Sequence, residues 1–267
     1  MNKILAFVKK DFLIFISYKV LFVTQILESI MTVLVFFFIS KLFGTHASSY
    51  LKPYGGEYFP FVLLGVSFFT YLSTTLSVFS QKIRSEQMAG TLEAIFTTPT
   101  KFSTILVSSA SWSFILSSFT AFIHLSFGFL LFSPDLANIN IIVCILIIIL
   151  SLVSFSAIGM ISGSFIILFK MGNPLNWVIR GVTSLLGGVY YPVEVLPQAL
   201  KNVSLFLPIT YSLRALRGAV FSKLSFMELS GDIFMLFVFC VVLLPVSIIF
   251  FNYAVARTKR EGRLGFY

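Results

Sequence analysis

Charge is scarce in this chain. Only 11% of its 267 residues are Asp, Glu, Lys or Arg, against roughly 25% in a soluble domain. With 58% hydrophobic residues and a mean hydropathy of +0.99, the shortage excludes a soluble globular fold, because no window is long and polar enough to fold outside a bilayer. Histidine is almost missing. His46 and His124 have no His, Cys or carboxylate partner at ligand spacing, so no metal site is expected, and His124 reads as a polar residue near the interface. Cys144 and Cys240 each lie inside an apolar run and read as small hydrophobes, with no disulfide and no redox role. No G-x-x-x-x-G-K-[ST] run and no Gly-rich dinucleotide turn occurs, so the chain carries no engine for ATP hydrolysis. No nucleophile–base pair suggests an enzyme. A typical signal peptide is also missing: Lys9, Lys10 and Asp11 interrupt the first apolar stretch, and no small-residue cleavage site follows.

What is present is long and oily. A helix needs about 20 mainly apolar residues to cross a bilayer. Six segments meet or approach that: residues 20–42, 58–80, 103–132, 139–169, 174–191 and 233–255. The expected fold is therefore all-α, a polytopic membrane protein with six transmembrane helices in a single domain. With the amino terminus inside, inner segments hold about twice as many Lys and Arg as outer ones, which places both termini in the cytoplasm. The net charge of +9 fits anionic headgroups rather than nucleic acid, since no contiguous basic face is visible.

Three segments do not span. Residues 1–19 put Lys3, Lys9, Lys10 and Ser17 on one helical arc and Ile4, Leu5, Val8, Phe12, Phe15 and Ile16 on the other, the pattern of an amphipathic helix lying in the interface. Asp11 falls on the apolar side. Residues 192–225 are apolar, yet Pro192, Pro197 and Pro208 cut them into pieces too short to cross. Two short helices, near residues 197–206 and 209–221, are expected to dip back from the outer face, with Pro197 in a first turn. Residues 82–101, KIRSEQMAGTLEAIFTTPTK, are polar and join the second span to the third. Residues 81–88 can continue the second helix, and Gly90 is a cheap place to stop it. Thr91 can cap a short new helix with Glu93 in its first turn, and Pro99 ends that helix.

Glu28 and Arg180 are the informative charges inside the spans. Counting 1.5 Å per residue, they lie about 12 and about 9 Å from the same face. An ion pair between them, within a chain or across a dimer seam, and a role in the translocation path are both open. Arg180 can also snorkel to the inner headgroups.

The stretches EQMAGTLEAIFTTPTKFSTIL (86–106) and GGVYYPVEVLPQALKNVSLFLPITYSLRALRGAVF (187–221) together resemble the membrane subunit of a type-2 ABC exporter. The resemblance covers nearly the whole chain. It implies that residues 82–101 form a coupling helix seated on a separate nucleotide-binding subunit, with Glu86, Gly90, Thr91, Leu92, Glu93 and Pro99 matching the motif. It also implies an outer re-entrant gate carrying Tyr190, Tyr191, Pro192, Glu194, Pro197, Pro208, Tyr211 and Arg214. ATP and Mg would be bound by that partner ATPase and not by this chain. Two permeases, identical or different, would pair with the first and fifth spans near the seam, in the cytoplasmic membrane. The implied substrates are drugs or antibiotics, lipids, or lipid-linked glycans; FVKKDFLIFISYKVLF near the amino terminus is closer to the drug and antibiotic type. A channel or ion-coupled secondary transporter is the alternative, disfavoured by the scarcity of intramembrane acids and by the absence of paired broken helices.

Overall fold

The computed structural model describes residues 19–43, 49–54, 56–88, 90, 102–132, 139–169 and 174–261, with residues 9, 12, 13 and 17 of the amino-terminal stretch. Among these there are helices and turns and no strands. Eight α-helices follow in order: α1 (Lys19–Phe43), α2 (Tyr58–Met88), α3 (Phe102–Phe132), α4 (Ile141–Phe169), α5 (Pro174–Leu186), α6 (Gln198–Ser204), α7 (Pro208–Val220) and α8 (Ser230–Arg260). Short 3-10 turns occupy Ser49–Tyr54 and Val193–Val195. This is the solution that lipid demands, since a helix satisfies its own backbone groups where no water can.

Among the described residues, α1, α2, α4 and α8 are long and apolar enough to cross a bilayer. The chain is thus a multi-pass, all-α membrane protein. α3 has 31 residues, about 46 Å of helix. α5 is different. The fifth span was expected to reach residue 191, but the helix stops at Leu186, after about 20 Å. Gly187 and Gly188 follow it in a turn, and Gly188 takes φ +80°, a left-handed conformation that a helix cannot continue through.

α2 is the central post. It packs against α3 on one side and α4 on the other, and α8 covers α4. Phe61, Leu72, Leu76, Ile83, Ile147, Phe155, Ile167 and Leu236 fill the seams. Lipid tails are as apolar as these side chains, so close packing rather than escape from water holds the helices together. The seam of α2 with α4 is tight because Gly159 sits against the backbone of Leu76, where an added Cβ would lie 2.6 Å from the carbonyl oxygen. The serines of α4 do not oppose this. Ser151, Ser154 and Ser164 each donate to a carbonyl one turn earlier on their own helix. Cys240 of α8 is buried and unbridged, with Sγ 3.2 Å from the Leu150 carbonyl.

α1 and α5 are the loosely held elements. α1 touches α3 and α2 and leaves most of its surface uncovered. On α5, Trp177 is 80% exposed, and Val178 and Leu185 also face outward. Of residues 1–19, only 9, 12, 13, 17 and 19 are described. All are helical, and Phe12 meets Trp112 of α3 edge-on, with 5.8 Å between ring centroids. The rest of the expected interfacial helix lies outside the described residues.

Candidate functional site

Two ends of the bundle and one pocket midway along it carry the polar chemistry. At one end, α2 runs on past the apolar core. Lys82 and Glu86 pair along its surface at 2.7 Å, and the Gln87 amide donates to the Ile166 carbonyl of α4 at 3.4 Å. The helix ends at Met88. Gly90 follows at φ +68° and donates its N–H to the Gln87 carbonyl at 3.0 Å. Only a residue without Cβ adopts that conformation at no cost, so the break expected at Gly90 is present. Of the six residues matching the coupling motif, Glu86 and Gly90 stand at this end. Thr91, Leu92, Glu93 and Pro99 lie outside the described residues.

At the other end, the chain leaves α5 and folds back into the bundle. Pro197 precedes α6 and Pro208 opens α7. Both positions suit proline, whose missing N–H would have no helical acceptor there. α7 does not lie over the bundle; it enters it. Ser212 shares a 2.7 Å hydrogen bond with Ser151 of α4, which lies ten residues, about 15 Å, inside that helix. Tyr211 is buried, donates to the Leu205 carbonyl at 3.0 Å and leans on Phe239 of α8. Tyr191 donates to the Leu185 carbonyl at 2.6 Å, and Tyr190 stacks on Phe36 of α1. Arg214 grips Asp232 of α8 through Nε and Nη2, with Nε 2.9 and 3.0 Å from the two carboxylate oxygens. That bidentate pair raises the guanidinium pKa further and joins α7 to α8. Pro192 is buried, and Glu194 is exposed on the rim.

The residue that organises this end was not among those the sequence singled out. Arg217 is 3% exposed. Its Nη1 donates to the Gly188 carbonyl at 2.7 Å, and its Nη2 to those of Phe61 and Val189 at 2.9 and 3.1 Å. The guanidinium lies over the Phe61 ring, 3.4 Å from its centroid. Three carbonyl dipoles and a ring face thus hold a cation that makes no direct ion pair among the described residues. Gly65 makes the room, since a Cβ there would collide with Nη2 of Arg217 and the Val189 carbonyl. Arg217, Arg214, Lys201, Glu194 and Tyr54 line a polar cavity of about 240 Å³. Burial, with a contribution from Glu194, raises the Tyr54 phenol above its ordinary pKa.

A second cavity, about 520 Å³, opens between α2, α3, α4 and α7. Leu64, Phe68, Tyr71, Phe122, Leu125, Ile148 and Phe221 are among its walls. Its size and its apolar lining fit a small hydrophobic or amphipathic molecule.

A third pocket, about 250 Å³, lies among α1, α2 and α3 and is polar. Ser29, Thr32, Thr74, Ser117 and Thr120 line it, and each donates its hydroxyl proton to a carbonyl of its own helix. Gln25 bridges α1 to α3 by donating to Thr120 Oγ1 at 2.6 Å. Glu28 and His124 complete the wall. His124 is 3% exposed, with Nδ1 buried and unpartnered. His124, expected as a polar residue near the interface, is thus buried in the pocket among α1, α2 and α3. Glu28 and Arg180 are both exposed, and no ion pair joins them among the described residues of one chain, so the pairing considered within a chain is not made.

The sequence model of the ABC-2 type transporter family matches residues 2–221. Curated proteins offer no match.

Proposed function

Because the chain belongs to the ABC-2 type transporter family and forms a membrane-spanning permease with no phosphate-cradling loop, we propose that it exports a hydrophobic or amphipathic substrate on energy from a separate ATPase. The ATPase binds ATP and Mg; this chain supplies the path. The observation that carries the substrate half is the 520 Å³ apolar cavity inside the bundle. The coupling half is supported by α2, which extends beyond the core and breaks at Gly90. Thr91, Leu92, Glu93 and Pro99 follow directly, and we assign residues 82–101 as the segment that seats on the ATPase. Closure of two ATPases around nucleotide would push on that segment and tilt α2, the post against which α3 and α4 pack.

The working unit contains two permeases and two ATPases in the cytoplasmic membrane, with both termini inside. α1 and α5 leave their apolar faces uncovered in the single chain, which supports a seam at those helices. The segment 187–221, latched by Arg217 and Arg214, closes the outer end of the path. Drugs or antibiotics, lipids and lipid-linked glycans all fall within the chemistry of such a path.

The coupling assignment is tested with the complex in nanodiscs. Deleting residues 90–93, or making Glu93→Lys, is expected to leave the permease in the membrane while its several-fold effect on the partner's ATP hydrolysis disappears. An unchanged hydrolysis rate in both variants, relative to the wild-type complex, would sink the assignment.

A further inference from the structure

The polar pocket among α1, α2 and α3 has no assigned part in coupling or in the re-entrant gate, yet it gathers hydroxyls, a carboxylate and an unpartnered histidine nitrogen. Of its seven hydroxyls, those of Ser29, Thr32, Thr74, Ser117 and Thr120 have already spent their protons on backbone carbonyls, which leaves Thr70 and Ser113. What the bonded ones turn to the pocket is oxygen lone pairs. Glu28 adds a carboxylate, and no Lys or Arg lines the wall among the described residues. His124, 3% exposed, brings an Nδ1 with no partner; in the tautomer protonated at Nε2 that atom is one more acceptor. The Gln25 amide is turned to Thr120. The described wall therefore offers more acceptors than donors and carries one carboxylate. An unpaired carboxylate among membrane helices is costly, and so is a buried polar atom without a partner. A ligand that carries positive charge together with several N–H donors relieves both at once.

We propose that this pocket binds the protonated primary amine of an amphiphile, with Glu28 as counter-ion and the His124 Nδ1 and the pocket hydroxyls as hydrogen-bond acceptors. The volume, about 250 Å³, holds a headgroup rather than a whole amphiphile, whose tail would remain among the surrounding apolar helices. A quaternary ammonium satisfies the charge but leaves the acceptors bare, and a neutral amide does the reverse. The site thus discriminates by N–H count as well as by charge. That the bound amine is a cargo rests on the permease reading; that it binds rests on the pocket alone.

The test uses the full chain in phosphatidylcholine nanodiscs without ATP, so that failure here leaves the coupling reading untouched. The probe is dansylcadaverine, a primary amine with a fluorophore that accepts energy from tryptophan. Trp112 on α3 adjoins Ser113 of the pocket wall. Saturable energy transfer is expected. Its trimethylammonium analogue should bind roughly tenfold more weakly or worse, as should its N-acetyl derivative, for the loss of one or more charge-assisted hydrogen bonds. Glu28→Gln and His124→Phe should each weaken the primary amine by a similar factor. Adding phosphatidylethanolamine separates the sources: competition with the probe assigns the pocket to a lipid headgroup amine, and its absence to a free amphiphile. Equal binding of the three probes to the unaltered protein, a comparison that needs no variant to fold, would overturn the proposal. So would wild-type affinity in a folded Glu28→Gln protein.

Discussion

A single buried cation does most to fix the shape of the re-entrant end. Arg217 reaches three carbonyls on two separate segments, 61 at the start of α2 and 188–189 after α5, so α7 cannot leave the bundle without stranding all three. Lysine carries the charge but not the planar fork. Arg217→Lys is therefore expected to lower stability nearly as much as Arg217→Ala. Both should cost roughly 1–3 kcal/mol for each buried carbonyl left unpaired, read as a drop in the thermal midpoint of the purified protein. A Lys variant as stable as wild type would show that charge alone suffices. Arg217 was legible in principle. It follows Ile209 and Leu213 at helical spacing, and a charge in register with apolar residues is a signal in itself, although α7 is buried on nearly every face. Pro208, Tyr211 and Arg214 were implied by the family resemblance, whereas singling out Arg217 required knowing that α7 is buried. His124 shows the converse. Its burial depends on α1 and α2 crossing over it, and no local pattern encodes a crossing.

The helices themselves were readable wherever apolar length decided them. α1, α3 and α4 begin and end within a few residues of the runs that mark them. The break at Gly90 and the two short helices α6 and α7 follow from glycine and proline, whose backbone preferences act locally. The early end of α5 is also local: the pair Gly187–Gly188 outweighs the apolar residues beyond it. Packing between helices was not readable, because in lipid the choice of neighbour depends on where small residues meet. The α2–α4 seam is the clearest case. Gly159→Val is expected to push α4 off the Leu76 backbone and destabilise the bundle by about 1–3 kcal/mol, the usual cost of overpacking, whereas Gly181→Ala on the open side of α5, with nothing within 4 Å, should change the thermal midpoint little. A Gly159→Val protein that melts with wild type would contradict the tight seam.

Taken whole, the molecule is a permease with two differently built ends. One end is a helix that stops in a left-handed glycine, ready to be extended by a polar segment. The other is a plug of short helices pinned to the bundle by two arginines. Between them lie an apolar cavity and a pocket of acceptors. The sequence holds no phosphate-cradling loop, so the proposed export requires an external motor. The most direct measurement is purification of the tagged chain from its native membrane, followed by assay of the complex for ATP hydrolysis. A P-loop ATPase, encoded beside this chain, is expected to copurify with it in equal amounts, and its hydrolysis rate to change several-fold on binding. A chain that purifies alone and conducts ions across liposomes without ATP would contradict the requirement for an external motor.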